Sequence, residues 1–126
     1  MKNRLIKKAI NMRKRAQAPF SGYKVGSAVK TKSGLVVGGC NIESPSYGLT
    51  CCAERVALYR SIAEGHTDFD GIAVSSINAC FPCGACRQVI WDLCGEIPIY
   101  ICNEIELIKE STSLILLPEP FDKSFL

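Results

Sequence analysis

The stretch GIAVSSINACFPCGACRQVIWDLCGEIPIYIC, residues 71–102, decides the fold. Its first six residues form a short apolar run, the pattern of a strand covered on both faces. INACFPCG, residues 77–84, breaks the run with Asn, Pro and Gly and reads as a loop. ACRQVIWDLC, residues 85–94, reads as a helix, and IPIYIC, residues 97–102, as a second buried strand. A strand, a helix and another strand in this order make a crossover unit, with the two strands parallel and the helix lying on the sheet.

Toward the N-terminus, NIESPSYGLT (41–50) is a loop, and Thr50 is the expected N-cap of a helix running to about Glu64, closed by Gly65. YKVGSAVK (23–30) and LVVGGC (35–40) flank TKSG, which predicts an antiparallel hairpin with Gly34 in its turn. Leu5, Ile6, Ala9, Ile10 and Ala16 recur at helical spacing, so residues 2–17 read as an amphipathic helix ended by Pro19. Toward the C-terminus, ELIKE (106–110) predicts a short strand and STSLILLP (111–118) a short helix. The order α-β-β-α-β-α-β-β-α predicts a three-layer α/β sandwich, with a mixed sheet of about five strands flanked by helices. The length of 126 residues fits a single domain, 1–126.

Apolar residues make up 48% and charged residues 21%, which excludes a disordered chain. No apolar run approaches the ~20 residues of a membrane span, so no membrane partner is expected. The N-terminus lacks an uninterrupted apolar core and a small-residue cleavage site, so no secretory signal is expected. Eight cysteines without such a signal point to a reducing, cytoplasmic setting, where thiol clusters serve metals or catalysis rather than disulfides. The net charge of +3 is unevenly placed. Residues 1–15 hold Lys2, Arg4, Lys7, Lys8, Arg13, Lys14 and Arg15 and no acid, which leaves −4 on residues 16–126. No aromatic residues interleave with these bases, so they read as a solvated helix face and no nucleic-acid partner is expected.

The chemistry concentrates in TCCAERVAL (50–58) and CFPCGACRQV (80–89). Cys83 and Cys86 form a C-x-x-C where a helix begins, and positions i and i+3 share a face. Free N–H groups and the helix dipole favour thiolates there, and two such thiolates make half of a tetrahedral zinc site. Cys52, near the start of the other internal helix, supplies a third ligand if both helix N-termini lie on one side of the sheet. A closed structural site would need a fourth ligand, and Cys51 or Cys80 is near enough in sequence. Cys51, however, adjoins Cys52, and neighbouring side chains on a helix diverge by about 100°. Glu54 in the first turn is long enough to reach back over the helix end, which makes it a non-ligand beside an open metal position. Three thiolates on Zn²⁺ leave a net negative charge, and a cation on those sulfurs restores the metal's acidity. Arg55 is three residues past Cys52 and shares its face. Arg87, after Cys86, is a second candidate neighbour of the sulfurs.

With C-A-E-R and P-C-G-A-C-R-Q-V in place, the chain resembles the small homotetrameric cytidine deaminases. The likeness runs from PFSGYKVGSAV through GCNIESPSYGLTCCAERVAL to LLPEPF. C-A-E…P-C-G-A-C is the three-cysteine form of the zinc nucleobase deaminase signature. The resemblance implies one Zn²⁺ per chain on Cys52, Cys83 and Cys86. It implies Glu54 as the proton shuttle for hydrolysis of cytidine and deoxycytidine to uridine and deoxyuridine in pyrimidine salvage, with ammonia released. It further implies that Asn41 and Glu43 bind ribose hydroxyls, that Tyr23 lies against the pyrimidine, and that the Ala53 N–H holds the base carbonyl. The Phe81 carbonyl would accept from the amino group, and Tyr47 and Phe121 would reach into a neighbouring subunit's site. Tyr23 and Phe81 depart from the family's usual phenylalanine and serine, and the Tyr23 hydroxyl needs a partner.

Three other readings compete. Cys80, Cys83 and Cys86 also spell the C-x-x-C-x-x-C that opens iron–sulfur runs, but the following C-x-x-x-C-P step is missing. Polynucleotide deaminases usually open with H-A-E, whereas the single histidine here, His66, is far from the motif. Deaminases of the nucleoside antibiotic blasticidin S resemble the chain but lack an arginine after C-x-E.

Overall fold

The structure is a computed structural model that describes residues 2–126. Helix α1, Lys2–Arg13, buries Leu5, Ile6, Ala9 and Met12 along one face. It ends short of residue 17, and Pro19 is not what stops it. Beyond Arg13 the chain tightens through bonds from the N–H groups of Lys14, Arg15 and Ala16 to carbonyls three residues back. Gln17 then turns extended and bridges to Ile42, with its N–H on the Asn41 carbonyl and its own carbonyl accepting from the Glu43 N–H. Two backbone bonds to a neighbouring segment replace those that another helical turn would have made.

Strands β1 (Gly26–Thr31) and β2 (Val36–Cys40) form the expected hairpin, with Gly34 at a φ of 99° in its turn, where a side chain would be strained. They are followed by α2 (Ala53–Ala63), β3 (Phe69–Ser75), α3 (Gly84–Cys94), β4 (Pro98–Cys102), β5 (Leu107–Thr112) and the short α4 (Ser113–Leu116). The strand order is β2-β1-β3-β4-β5. Only β3 and β4, joined through α3, pair in parallel; the other three pairings are antiparallel. Strands β2 and β3 run in the same direction on either side of β1, so the connection through α2 passes over one strand.

Successive side chains on a strand point to opposite faces. Ala28, Ala73 and Cys102 therefore pack with Leu5, Ile6 and Ala9 of α1 on one face. Their neighbours Val29, Ile72 and Ile101 pack with Ala57 and Leu58 of α2 and Ile90 of α3 on the other. This is the three-layer sandwich, and it explains the unbroken apolar runs in the central strands. Leu58 and Ile90 are fully buried, each contributing roughly 1.5–3 kcal/mol. Among the described residues, no helix is long and apolar enough to cross a membrane.

Helix α2 begins two residues later than expected, because Cys51 bridges to Ile42 through a reciprocal pair of backbone bonds. The Thr50 hydroxyl instead closes the preceding loop, accepting from the Ser44 N–H and donating to the Ser44 carbonyl. Cys52 is the N-cap residue. The depth of the helix is set by Gly39 on β2, where a Cβ would lie 2.4 Å from the Ala57 nitrogen.

Candidate functional site

Cys52 and Cys83 occupy the same place on two helices, as extended N-cap residues of α2 and α3. The two helix starts converge at one edge of the sheet, and Cys86 comes from the first turn of α3. The three sulfurs all lie within 4.8 Å of one another, with 3.8 Å between Cys52 Sγ and Cys83 Sγ. A zinc held tetrahedrally with Zn–S bonds of about 2.3 Å spaces its sulfurs about 3.8 Å apart, so the donors fit that ion. Among the described residues no fourth cysteine, histidine or carboxylate joins the cluster. Cys51 is held aside by its bridge to Ile42. Cys80 lines the adjoining cleft instead, so the C-x-x-C-x-x-C run does not deliver three sulfurs to one centre and the iron–sulfur reading falls.

Arg55 stands where its spacing predicted, with Nη2 donating to Cys52 Sγ at 3.4 Å. Arg87 does not: its Nε donates to the Pro82 carbonyl at 2.7 Å and its Nη1 to the Leu116 carbonyl at 2.9 Å. It anchors the loop before α3 to the end of α4 and leaves the sulfurs to Arg55. The Cys52 thiol is held down to about 5, first by the hydrogen bond from Cys86 and then by those from Arg55 and Cys83. Cys86 is pushed upward, first by that same bond and then by burial. A divalent cation would take all three sulfurs as thiolates and release whatever protons they carry.

Glu54 follows Ala53 in the first turn of α2 and is 4% exposed. Burial pushes its carboxyl up to about 7. It stands outside the donor set while interacting with the Cys86 thiol, as expected of a carboxyl beside a metal and not on it. A cleft of about 190 Å³ opens from the cluster, lined by Tyr23, Asn41, Ala53, Glu54, Cys80 and Phe81 among others. Ala53 is the first residue of α2, so its N–H has no partner within the helix.

Asn41 and Glu43 fasten the segment that carries Tyr23. Asn41 Nδ2 donates to the Tyr23 carbonyl at 2.8 Å, and its Oδ1 accepts from the Val25 N–H at 2.9 Å. The Glu43 carboxylate accepts from the N–H groups of Phe20 and Ser21 and from the Ser21 hydroxyl. The Ser21 bonds, hydroxyl before backbone, hold its carboxyl below the usual range. Tyr47 and Phe121 are 88% and 61% exposed and lie outside this cleft. Phe81 presents its ring to Lys109, whose Nζ is 5.7 Å from the centroid. Sequence reasoning missed Val25 and Thr50 as cleft residues and Asn78 as the partner of the Tyr23 hydroxyl; no motif marks any of them.

Comparison with known proteins gives this geometry a family. Residues 1–101 match the "Cytidine and deoxycytidylate deaminase zinc-binding region". A "Cytidine deaminase" of Halalkalibacterium halodurans is 46% identical over 120 residues, covering 93% of this chain and 91% of that protein. The 1.6 Å crystal structure of cytidine deaminase from Burkholderia pseudomallei superposes with a TM-score of 0.91 at 39% identity, covering 96% of this chain and 99% of that one. A "Blasticidin-S deaminase" of Bacillus cereus is 31% identical over 97 residues, 69% of each chain.

Proposed function

The chain belongs to the cytidine and deoxycytidylate deaminase family, and from that premise we propose that it hydrolyses cytidine and deoxycytidine to uridine and deoxyuridine with release of ammonia. The observation that carries the reading is three convergent sulfurs with an open fourth corner beside a buried carboxylate. Cys52, Cys83 and Cys86 would hold one zinc, which would supply Lewis-acid activation of the attacking water at neutral pH. Glu54 takes one proton from the attacking water and delivers it to N3 of the cytosine ring; it then takes the second proton from the oxygen now bonded to C4 and gives it to the amino group, which leaves as ammonia as the C4 carbonyl forms. Arg55 draws charge from Cys52 Sγ, so that three thiolates do not quench the acidity of the site. The Ala53 N–H orients the base carbonyl and the Phe81 carbonyl accepts from the amino group. Tyr23 forms the wall against the ring, while Asn41 and Glu43 meet the ribose.

Tyr47 and Phe121 are assigned to a neighbouring subunit's cleft in a homotetramer. Their exposure and their distance from this chain's cleft support that assignment. Residues 1–126 act as one domain.

The test measures zinc content and the fall in cytidine absorbance for the wild type and Glu54→Gln. The variant is expected to keep one zinc per chain and lose at least ~10²–10⁴-fold in turnover. Zinc-loaded Glu54→Gln with near-normal turnover would refute the assignment. Blasticidin S, as a competing substrate in the same assay, is expected to turn over much more slowly than cytidine.

A further inference from the structure

The Tyr23 hydroxyl donates to Asn78 Oδ1 at 2.5 Å. Asn78 lies on the turn between β3 and α3, outside the residues that line the cleft. That turn is built around one side chain, the fully buried Ser76. The Ser76 hydroxyl donates to Asn78 Oδ1 at 3.4 Å, and its oxygen accepts from the Cys80 N–H at 2.8 Å. Between them Ala79 sits at a φ of 53°, a left-handed conformation that strains a residue with a Cβ. A strained turn held by a buried hydroxyl thus aims Asn78 at Tyr23 and Cys80 into the cleft.

The backbone of Tyr23 is fixed independently. Its carbonyl accepts from Asn41 Nδ2 at 2.8 Å, and its N–H donates to Ser21 Oγ at 3.0 Å. Those bonds place the Cα but leave the ring free to swing about its side-chain torsions. The far end of the ring is the part that would move into or out of the cleft; its hydroxyl donates to Asn78 Oδ1, with the Ser76 and Cys80 side chains also close to it.

We propose that Asn78 is a positioning residue that fixes the Tyr23 ring as the wall of the substrate cleft and occupies the Tyr23 hydroxyl, so that the ring face and not the hydroxyl meets the nucleoside. This rests on the deaminase reading above. Asn78 touches no reacting atom, so its removal weakens substrate binding and leaves the chemical step alone.

The test is a double-mutant cycle on cytidine kinetics with Asn78→Ala, Tyr23→Phe and the pair, using zinc-loaded protein of verified zinc content. Losing one hydrogen bond of ordinary strength corresponds to roughly a fivefold change. Asn78→Ala is expected to raise KM about fivefold with kcat within about twofold, and to have no effect in the Tyr23→Phe background, where the bond is already gone. Asn78→Asp, which keeps the acceptor, is expected to restore the wild-type KM. An equal KM rise in both backgrounds, no rise at all, a loss confined to kcat, or failure of Asn78→Asp to rescue would each overturn the proposal while leaving the deaminase reading intact. A zinc-loaded wild type inactive on cytidine would overturn that reading and this proposal with it.

Discussion

Arg55 shows how much a single residue's spacing decides. Three positions past Cys52 on α2, its guanidinium pairs with no carboxylate among the described residues and donates to sulfur. Removing it returns negative charge to the thiolate cluster without removing a ligand. Arg55→Gln is expected to keep its zinc and lose about 10–100-fold in turnover, read from metal content and cytidine kinetics together. Loss of zinc instead would make Arg55 a structural support of the site. At this scale the sequence was most legible where residues crowd into one helical turn, as Cys52, Glu54 and Arg55 do at the start of α2 and Cys83 and Cys86 at the start of α3. It was least legible at Arg87, where adjacency to Cys86 suggested a sulfur neighbour and two backbone carbonyls took the side chain. The partner of the Tyr23 hydroxyl was equally hidden, because 55 residues separate it from Asn78.

Among the elements, α2 and α3 do the positioning, and what seats α2 is the absence of a side chain on β2. Gly39→Ala would put a Cβ 2.4 Å from the Ala57 nitrogen, and backbone cannot yield there as a flexible side chain would. The helix must lift, carrying Cys52 away from Cys83 and Cys86. Thermal denaturation is expected to show a loss of roughly 1–3 kcal/mol or more, together with weakened zinc retention. An unchanged melting point and zinc content would show that α2 is not held there. The C-terminal segment that carries Phe121 is docked by Asp122, which accepts from Trp91 Nε1 on α3 at 3.1 Å and from the Ser124 hydroxyl and N–H. The Ser124 bonds, hydroxyl first, hold the Asp122 carboxyl below its ordinary value. A depressed carboxylate contributes stability above its unfolded value, about 4, and loses it only as pH falls through the lower folded value. Trp91 emission should therefore stay flat from pH 8 to 5, and a transition centred above pH 5 that Asp122→Asn abolishes would contradict this. Strand and helix identities were legible from periodicity. The C-terminal end of α1 and the start of α2 were not, because Gln17 and Cys51 each exchange a helical bond for a bridge to Ile42.

For the whole molecule, the zinc site joins the starts of two crossover helices that also pack against each other on one face of the sheet. A ligand that binds the folded chain at ~1,000 times its Kd adds about 4 kcal/mol. Chelation is therefore expected to lower the thermal midpoint by on the order of 10 °C, with recovery on adding zinc to wild type and none in Cys86→Ser. A midpoint indifferent to chelation would mean the three sulfurs are not jointly ligated. By itself the sequence determined the layer order and pointed to Cys52, Cys83 and Cys86 with Glu54 beside them, because each depends on local periodicity or on residues within one turn of a helix start. Only the tertiary structure decided which thiols stay out of the cluster, which carbonyls capture Arg87, and that Asn41 and Glu43 tie down the segment carrying Tyr23. Those outcomes turn on competition between bonding partners distant in the chain, and the winner is set by which backbone groups the folded sheet brings within about 3 Å.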